Sequence, residues 1–96
     1  QEEFDGMRVT FLDDGRFELL EPLDGESAVA RHLEKRGEGM QHVAVRVDDI
    51  VSEMERLEDE GVRLLSDEPR KGAKGKLIAF LHPGDTHGVL FELCEY

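Results

Sequence analysis

The sequence contains few of the residues that stabilise small secreted or membrane proteins. Cys94 is the single cysteine among 96 residues, so an internal disulfide bond is excluded. There is no tryptophan, and no apolar run is long enough for a membrane-spanning helix or the core of a secretory signal. We therefore expect a cytoplasmic protein that is held together by one small hydrophobic core.

Basic residues are also scarce. Twelve lysines and arginines stand against 23 aspartates and glutamates, which gives a formal net charge of −11. A chain this acidic is repelled by nucleic-acid backbones and by anionic membrane surfaces. The charge therefore argues against both as partners.

Two segments of the chain resemble each other. The closing segment 76–96 reads KLIAFLHPGDTHGVLFELCEY, and an abbreviated copy lies at residues 7–21. Each copy contains an apolar strand, a turn with a glycine and a second strand with the tripeptide Phe-Glu-Leu. The turns are Asp13-Asp14-Gly15 and Pro83-Gly84-Asp85. The sequence therefore predicts two related hairpins.

The glutamates of the two Phe-Glu-Leu tripeptides, Glu18 and Glu92, are predicted to lie on equivalent faces of the two hairpins, because strand residues alternate between faces. For one such glutamate, a solvated position on the outer face of a half-buried sheet is the better interpretation. However, a glutamate that recurs in both repeats, with apolar neighbours on its own face, favours a functional site. His42, which is predicted to lie on the same face, adds an imidazole to that site. Two carboxylates and an imidazole suit a divalent metal ion. Cys94 is expected to be a buried residue without a catalytic role.

The rest of the chain predicts two helices and two more strands. Ser27 begins a helix that runs to Arg36, and alternating valines predict a strand at residues 41–47. Asp48 and Asp49 cap a second helix at residues 50–60, which ends at a glycine. A short strand at residues 62–65 and a loop at residues 66–75 follow.

These elements predict an α+β fold of paired βαβββ units that form a cupped, mixed and mostly antiparallel sheet. Residues 1–22 would end the first unit, residues 23–39 form a linking helix, and residues 40–96 form the complete second unit, all within a single domain. Residues 1–5 are polar and acidic and carry no start signal. We expect the opening strand and helix of the first unit to be missing. Residues 7–20 would then expose a strand edge. We expect the chain either to pair this edge with a second copy in a homodimer or to bind metal poorly and be inactive.

Four of the twelve basic residues lie in the seven-residue stretch 70–76, at the end of the loop and the start of the next strand. They are Arg70, Lys71, Lys74 and Lys76. A flexible, solvated loop is one interpretation. A cationic loop with glycines is also suited to phosphate, because its amides can approach an anion closely. It is not a P-loop, since it leads into a strand instead of a helix.

Four segments together resemble the methylmalonyl-CoA epimerase family of the vicinal oxygen chelate superfamily, which also includes glyoxalase I. They are FELLEP, EGMQHVAVRVDDI, DEGVRLLSDEPRKGAKGK and IAFLHPGDTHGVLFEL. The resemblance covers nearly the whole chain. It implies an isomerase that interconverts (2R)- and (2S)-methylmalonyl-CoA by moving the α-proton through a metal-stabilised enolate.

The resemblance also implies roles for individual residues. Glu18, His42 and Glu92 would bind a divalent ion of the cobalt, zinc, manganese or nickel class, and Glu92 would also move the proton. The four loop cations would bind the acyl-CoA substrate. The family's first-unit histidine ligand has no counterpart here, and Val9 stands where some members carry a glutamate base. The second base therefore stays open.

Two alternatives belong to the same superfamily. One is a glyoxalase I-type isomerase of glutathione hemithioacetals, which has no need of a phosphate-binding loop. The other is a metal-free protein that binds small molecules. Metal content separates the binding protein from both enzymes, and protection of the loop by coenzyme A separates the two enzymes.

Overall fold

The computed structural model describes residues 1–12 and 17–96, which form two compact units, Gln1–Gln41 and His42–Tyr96. Within these described residues the fold class is α+β, with two α-helices and two open sheets. The predicted turn Asp13-Asp14-Gly15 lies outside the described residues. The strands and helices are β1 Glu2–Phe4, β2 Met7–Phe11, β3 Glu18–Pro22, α1 Ala28–Arg36, β4 Val43–Arg46, α2 Ile50–Asp59, β5 Arg70–Lys71, β6 Leu77–Phe80 and β7 Phe91–Glu95.

The first unit contains an antiparallel sheet in the order β1-β2-β3. The predicted hairpin is present as β2 and β3, with Val9 opposite Leu20. The sequence reasoning missed β1, which joins β2 through Asp5 and Gly6, with φ angles of 51° and 75°. Two successive positive φ angles are typical of a type I′ hairpin turn, for which Asp-Gly is a preferred dipeptide.

The pairing of β1 changes the prediction for the strand edge at residues 7–20. β2 is paired on both sides, with β1 and with β3, so the prediction of an unpaired edge is wrong for β2. β3 is the outer strand of this sheet. Arg8 of β2 contacts Glu3 and Glu21 on its two neighbours, at 3.4 and 3.5 Å, and so links all three strands by charge. The homodimer stays a prediction.

Helix α1 has the predicted ends. The Ser27 hydroxyl accepts a hydrogen bond from the Ala30 N–H at 3.1 Å, which satisfies one of the amides that a helix leaves free at its first turn. Gly37 follows the helix with a φ of 76°, a conformation that glycine adopts without steric cost, and its N–H donates to the Leu33 carbonyl. The helix buries Val29, while Val9 is buried in the sheet.

The second unit contains a mixed sheet in the order β4-β7-β6-β5. β7 is a central strand, parallel to β4 and antiparallel to β6. Helix α2 begins after Asp49, whose carboxylate accepts from the Ser52 N–H at 3.1 Å, and it packs against β6 and β7. The core between helix and sheet consists of Ile50, Met54, Ala79, Leu81 and Leu93.

One predicted strand is wrong. Residues 62–65 form a single bridge, Leu64 to Leu81, and the additional strand is β5, inside the predicted loop. β5 exists through its pairing with β6, and both of its side chains are exposed, so it has no hydrophobic pattern of its own. When β5 is counted as the second strand, the second unit has the predicted βαβββ order of elements, β4, α2, β5, β6 and β7. No helix among residues 1–12 and 17–96 has the length and apolar character needed to cross a membrane.

Candidate functional site

The two faces of the four-stranded sheet carry different residues. Leu93 and Ala79 face α2, so Glu92 and Cys94, which alternate with Leu93, lie on the opposite face. Directly paired residues of neighbouring strands share a face. The pairing therefore defines a face opposite α2, called the site face below, that consists of Ala44, Arg46, Ile78, Phe80, Glu92 and Cys94.

Glu92 is the buried carboxylate of the site face. Its side chain is 5% exposed, and its Oε1 lies 3.7 Å from Nε2 of His42. The thiol of Cys94 donates a hydrogen bond to the same Oε1 at 3.0 Å. The edge of the Phe80 ring meets the His42 ring, with the ring centroids 5.9 Å apart. A carboxylate, an imidazole and a thiol therefore converge at this point.

The position of His42 follows from the local backbone. His42 directly precedes β4, and the Val43 N–H donates to the Leu90 carbonyl at 3.0 Å, just before β7 begins. This bond aligns the two strands so that Ala44 lies opposite Glu92. Because His42 lies two residues before Ala44, strand alternation directs both to the site face, as the sequence predicts.

The neighbours of Glu92 favour its charged form. Burial raises the pKa of Glu92, but hydrogen bonding by the His42 and Cys94 side chains and the charges of His42 and Lys76 lower it. The net pKa lies below the ordinary value of a glutamate. A buried charge is tolerated only where such partners compensate for lost hydration. Glu92 is therefore an ionised carboxylate at neutral pH, able to accept a proton.

Two of the three predicted metal ligands lie together. Metal–ligand bonds of this class measure about 2.0–2.2 Å, so two atoms up to about 4 Å apart can share one ion. The 3.7 Å separation of His42 Nε2 and Glu92 Oε1 fits this limit, and nitrogen and oxygen donors suit the expected ions. Glu18 is half-buried on β3 of the first unit. Across the described ranges, no group of three or more His, Cys, Asp or Glu side chains is arranged to hold a metal.

The four predicted substrate-binding cations have different environments. Arg70 is paired with Ile78 and so lies on the site face, whereas Lys71 is paired with Leu77, which packs into the α2 core. Lys74 is exposed and has a left-handed φ of 60°. Lys76 is 8% exposed. The register therefore separates Arg70 from Lys71, and burial separates Lys76 from Lys74.

Other sequence predictions concern residues without a chemical role. Asp49 is a helix cap, as expected. His82 accepts a hydrogen bond from the Gly84 N–H at 2.9 Å in the turn after β6, which is a structural contact. Cys94 is buried as predicted, but its hydrogen bond to Glu92 was missed. The available signal was the spacing of two residues, which places both side chains on one strand face.

The fold and the site define a class of protein. Residues 2–80 match the model of the Glyoxalase/Bleomycin resistance protein/Dioxygenase superfamily. The chain belongs to this superfamily.

Individual relatives carry a more specific name. The chain is 43% identical over 91 residues to mitochondrial methylmalonyl-CoA epimerase of Bos taurus, covering 92% of this chain and 52% of that protein. It is also 43% identical over 91 residues to YqjC of Bacillus subtilis, covering 93% and 65% respectively. A solved variant of Streptomyces coelicolor methylmalonyl-CoA epimerase, in complex with 2-nitronate-propionyl-CoA, is 42% identical with a TM-score of 0.84, covering 95% of this chain and 71% of that one. The chain thus spans between half and two thirds of the length of these two curated relatives.

Proposed function

We propose that this protein is a methylmalonyl-CoA epimerase, which interconverts the (2R) and (2S) forms of its substrate by removing and returning the α-proton. The observation that carries the proposal is the buried, ionised Glu92, held by Cys94 and next to His42, in a chain similar to proteins of that name. The α-carbon of this substrate lies between a thioester and a carboxylate, so its proton is weakly acidic. A carboxylate base at this position suits the reaction.

Glu92 has the proton-transfer role in this proposal. Its Oε1 accepts the Cys94 hydrogen bond at 3.0 Å, which orients the carboxylate and helps to keep it charged. Glu92 is 5% exposed, so its carboxylate is largely shielded from water, and the Phe80 ring packs edge-on against the neighbouring His42. A divalent ion of the cobalt, zinc, manganese or nickel class, bound by His42, Glu92 and Glu18, would supply Lewis-acid stabilisation of the enolate.

The loop cations are proposed to bind the acyl-CoA substrate. Arg70 lies on the site face, and the buried Lys76 acts by its charge on Glu92, whereas Lys71 and Lys74 are exposed. A role in substrate binding stays a proposal for all four. Contacts with the phosphates of coenzyme A lie far from the reacting carbon, so they should affect KM more than kcat. A cytoplasmic location and a homodimer are further parts of the proposal.

The test is a direct assay of the complete protein. We expect a single epimer of methylmalonyl-CoA to be converted to a mixture of both when cobalt, manganese, nickel or zinc is added, and conversion to fall when a chelator removes the ion. The hemithioacetal of methylglyoxal and glutathione serves as the control substrate and should not react. Turnover of that control alone, or of neither substrate with any of the four ions, would contradict the proposal.

A further inference from the structure

The carboxylate of Glu92 has two oxygens, and the structure distinguishes them. Oε1 accepts a hydrogen bond from the Cys94 thiol at 3.0 Å and lies 3.7 Å from Nε2 of His42. Both side chains therefore contact the same oxygen. Neither of these two contacts involves the second oxygen, Oε2, so the two oxygens of Glu92 have different surroundings.

Rotation of the carboxylate would remove this difference. The last torsion of a glutamate side chain is broad and roughly twofold, so the two oxygens exchange places unless a contact holds one of them. A hydrogen bond to a charged group is stronger than one between neutral groups, and it favours one direction. The hydrogen bond from Cys94 therefore keeps Oε1 next to His42.

Cys94 can hold the carboxylate because packing fixes its own position. It is 1% exposed, and its neighbours across the sheet on the site face are Arg46 and Ile78. Tyr96 follows on the same face, and its ring centroid lies 5.3 Å from the guanidinium carbon of Arg46 and 5.6 Å from the ammonium of Lys76. A closely packed side chain is restricted to few rotamers. The thiol therefore has a defined direction towards Oε1.

The lone pairs of the carboxylate suggest a role for each oxygen. Each carboxylate oxygen offers about two positions for a donor or a cation. At Oε1, one position accepts the Cys94 thiol and the other faces His42, with which a divalent ion is proposed to be shared. A donor or a cation at an oxygen stabilises its charged form and makes it a weaker proton acceptor. Oε2 is therefore the better acceptor for the α-proton.

We propose that Cys94 is a positioning residue, which holds Oε1 of Glu92 next to His42 and leaves Oε2 to accept the α-proton. This inference rests on the proposed function, because it takes Glu92 as the group that moves the proton. The C–H bond of the α-carbon breaks, its electron pair passes to the enolate, and an O–H bond forms at Oε2, which later returns the proton. The thiol keeps its hydrogen throughout and is not a metal ligand, since no three His, Cys, Asp or Glu side chains in the described part of the chain are arranged to hold an ion.

Epimerase kinetics of the complete protein separate positioning from substrate binding. Cys94→Ala removes the donor, so kcat should fall by about tenfold while KM changes by less than about twofold. Cys94→Ser keeps a donor and should retain kcat within about threefold of the wild type. Rescue by serine is a result that a loss of packing alone would not give.

Leu93→Val is the matched control for packing. Leu93 lies on the same strand, is 6% exposed and faces α2, so this change removes buried apolar volume without removing a contact of Glu92. Its kcat should stay within about twofold of the wild type, although its thermal midpoint falls. Thermal midpoints of all variants check that they fold. An unchanged kcat in Cys94→Ala, a loss confined to KM, or equal losses of kcat in Cys94→Ala and Cys94→Ser would overturn the positioning role.

Infrared spectroscopy of the S–H stretching band tests the contact without turnover. Cys94 is the single cysteine, so the band has one source. In the wild type the band should lie at a lower frequency than in Glu92→Leu, which lacks the acceptor, and it should persist when cobalt is added. Equal frequencies, or loss of the band with cobalt as a thiolate forms, would overturn the proposal.

The two measurements together separate this inference from the proposed function. A wild type that shows the shifted band but does not epimerise methylmalonyl-CoA would refute the proposed function and the role of Oε2, while the contact between Cys94 and Oε1 stands. Normal epimerisation by a wild type without the shifted band would refute the positioning role alone.

Discussion

The tripeptide Phe-Glu-Leu occurs once in each unit, with very different burial. In β7, Glu92 is 5% and Leu93 is 6% exposed. In the first unit, Glu18 is half-buried and Leu19 is 54% exposed. β7 is a central strand covered by α2, whereas β3 is the outer strand of a three-stranded sheet. The same three residues therefore acquire different properties from the position of their strand.

The residue two positions further along also differs. Cys94 follows Glu92 on the same face and donates a hydrogen bond to it, while the equivalent residue after Glu18 is Leu20, which has no donor. The buried copy thus has a neighbour that stabilises its charge. We infer that the copy in the second unit is specialised for proton transfer, and that Glu18 serves as a metal ligand at most.

The largest difference is expected for the two leucines. Leu93→Ala should lower the free energy of unfolding by about 2–5 kcal/mol, because it leaves a cavity against α2. Leu19→Ala removes an exposed side chain and should cost about 0.5 kcal/mol or less. Urea unfolding of both variants measures this. Equal losses would show that the two tripeptides are packed alike.

A second comparison tests whether the two copies share one metal ion. His42→Ala and Glu18→Gln should each weaken the affinity for cobalt by at least about 100-fold, since even indirect supporting residues contribute 10- to 100-fold. Competition with a chromogenic chelator measures the affinity. Glu21→Gln, on the same strand as Glu18 and beside Arg8, is the control and should bind cobalt normally. Normal binding by Glu18→Gln would remove the first copy from the site.

The helix caps compare the units on a smaller scale. Ser27→Ala removes the acceptor for the Ala30 N–H, and Asp49→Ala removes the acceptor for the Ser52 N–H. Each change should lower the unfolding free energy by about 1 kcal/mol. Differential scanning calorimetry should show similar decreases for both variants. A much larger decrease for one of them would mean that its side chain does more than cap a helix.

The smallest expected effect concerns an exposed ion pair of the second unit. The side-chain hydrogen bond from Arg63, followed by that from the Arg63 N–H, lowers the pKa of Asp85 to about 2 from an ordinary value of 3.8. The folded-state pKa is depressed, so the stabilisation is present above about pH 4 and is lost as the pH falls towards 2. The difference in thermal midpoint between wild type and Asp85→Asn should shrink across this range. A constant difference would exclude this pairing.

Much of the fold follows from local patterns. The alternating valines before Asp48 predict β4, and Ser27, Gly37, Asp49 and Gly61 mark the helix ends. β1 was missed because two of its three residues are acidic, although the Asp5-Gly6 turn was a usable signal. β5 has no pattern, since pairing with β6 alone defines it.

The candidate site was less accessible to sequence reasoning. Strand alternation placed His42 and Glu92 on one face, but their approach to 3.7 Å depends on the parallel pairing of β4 with β7. That pairing joins residues almost fifty positions apart, and no short motif encodes it. For the same reason the contacts of Arg46 and Lys76 with Tyr96 had no signal in the sequence.

Exchange of the substrate α-proton with deuterated water tests the role of Glu92 most directly. The metal-loaded wild type should incorporate deuterium into methylmalonyl-CoA, and Glu92→Gln should lose about 10²- to 10⁴-fold in exchange rate, because the amide cannot accept the proton. Glu95→Gln is the control on the opposite face of β7, where the side-chain oxygen accepts the Ile50 N–H, a role that an amide oxygen keeps. We predict normal exchange by Glu95→Gln and almost none by Glu92→Gln. Wild-type exchange by a folded Glu92→Gln would contradict the account.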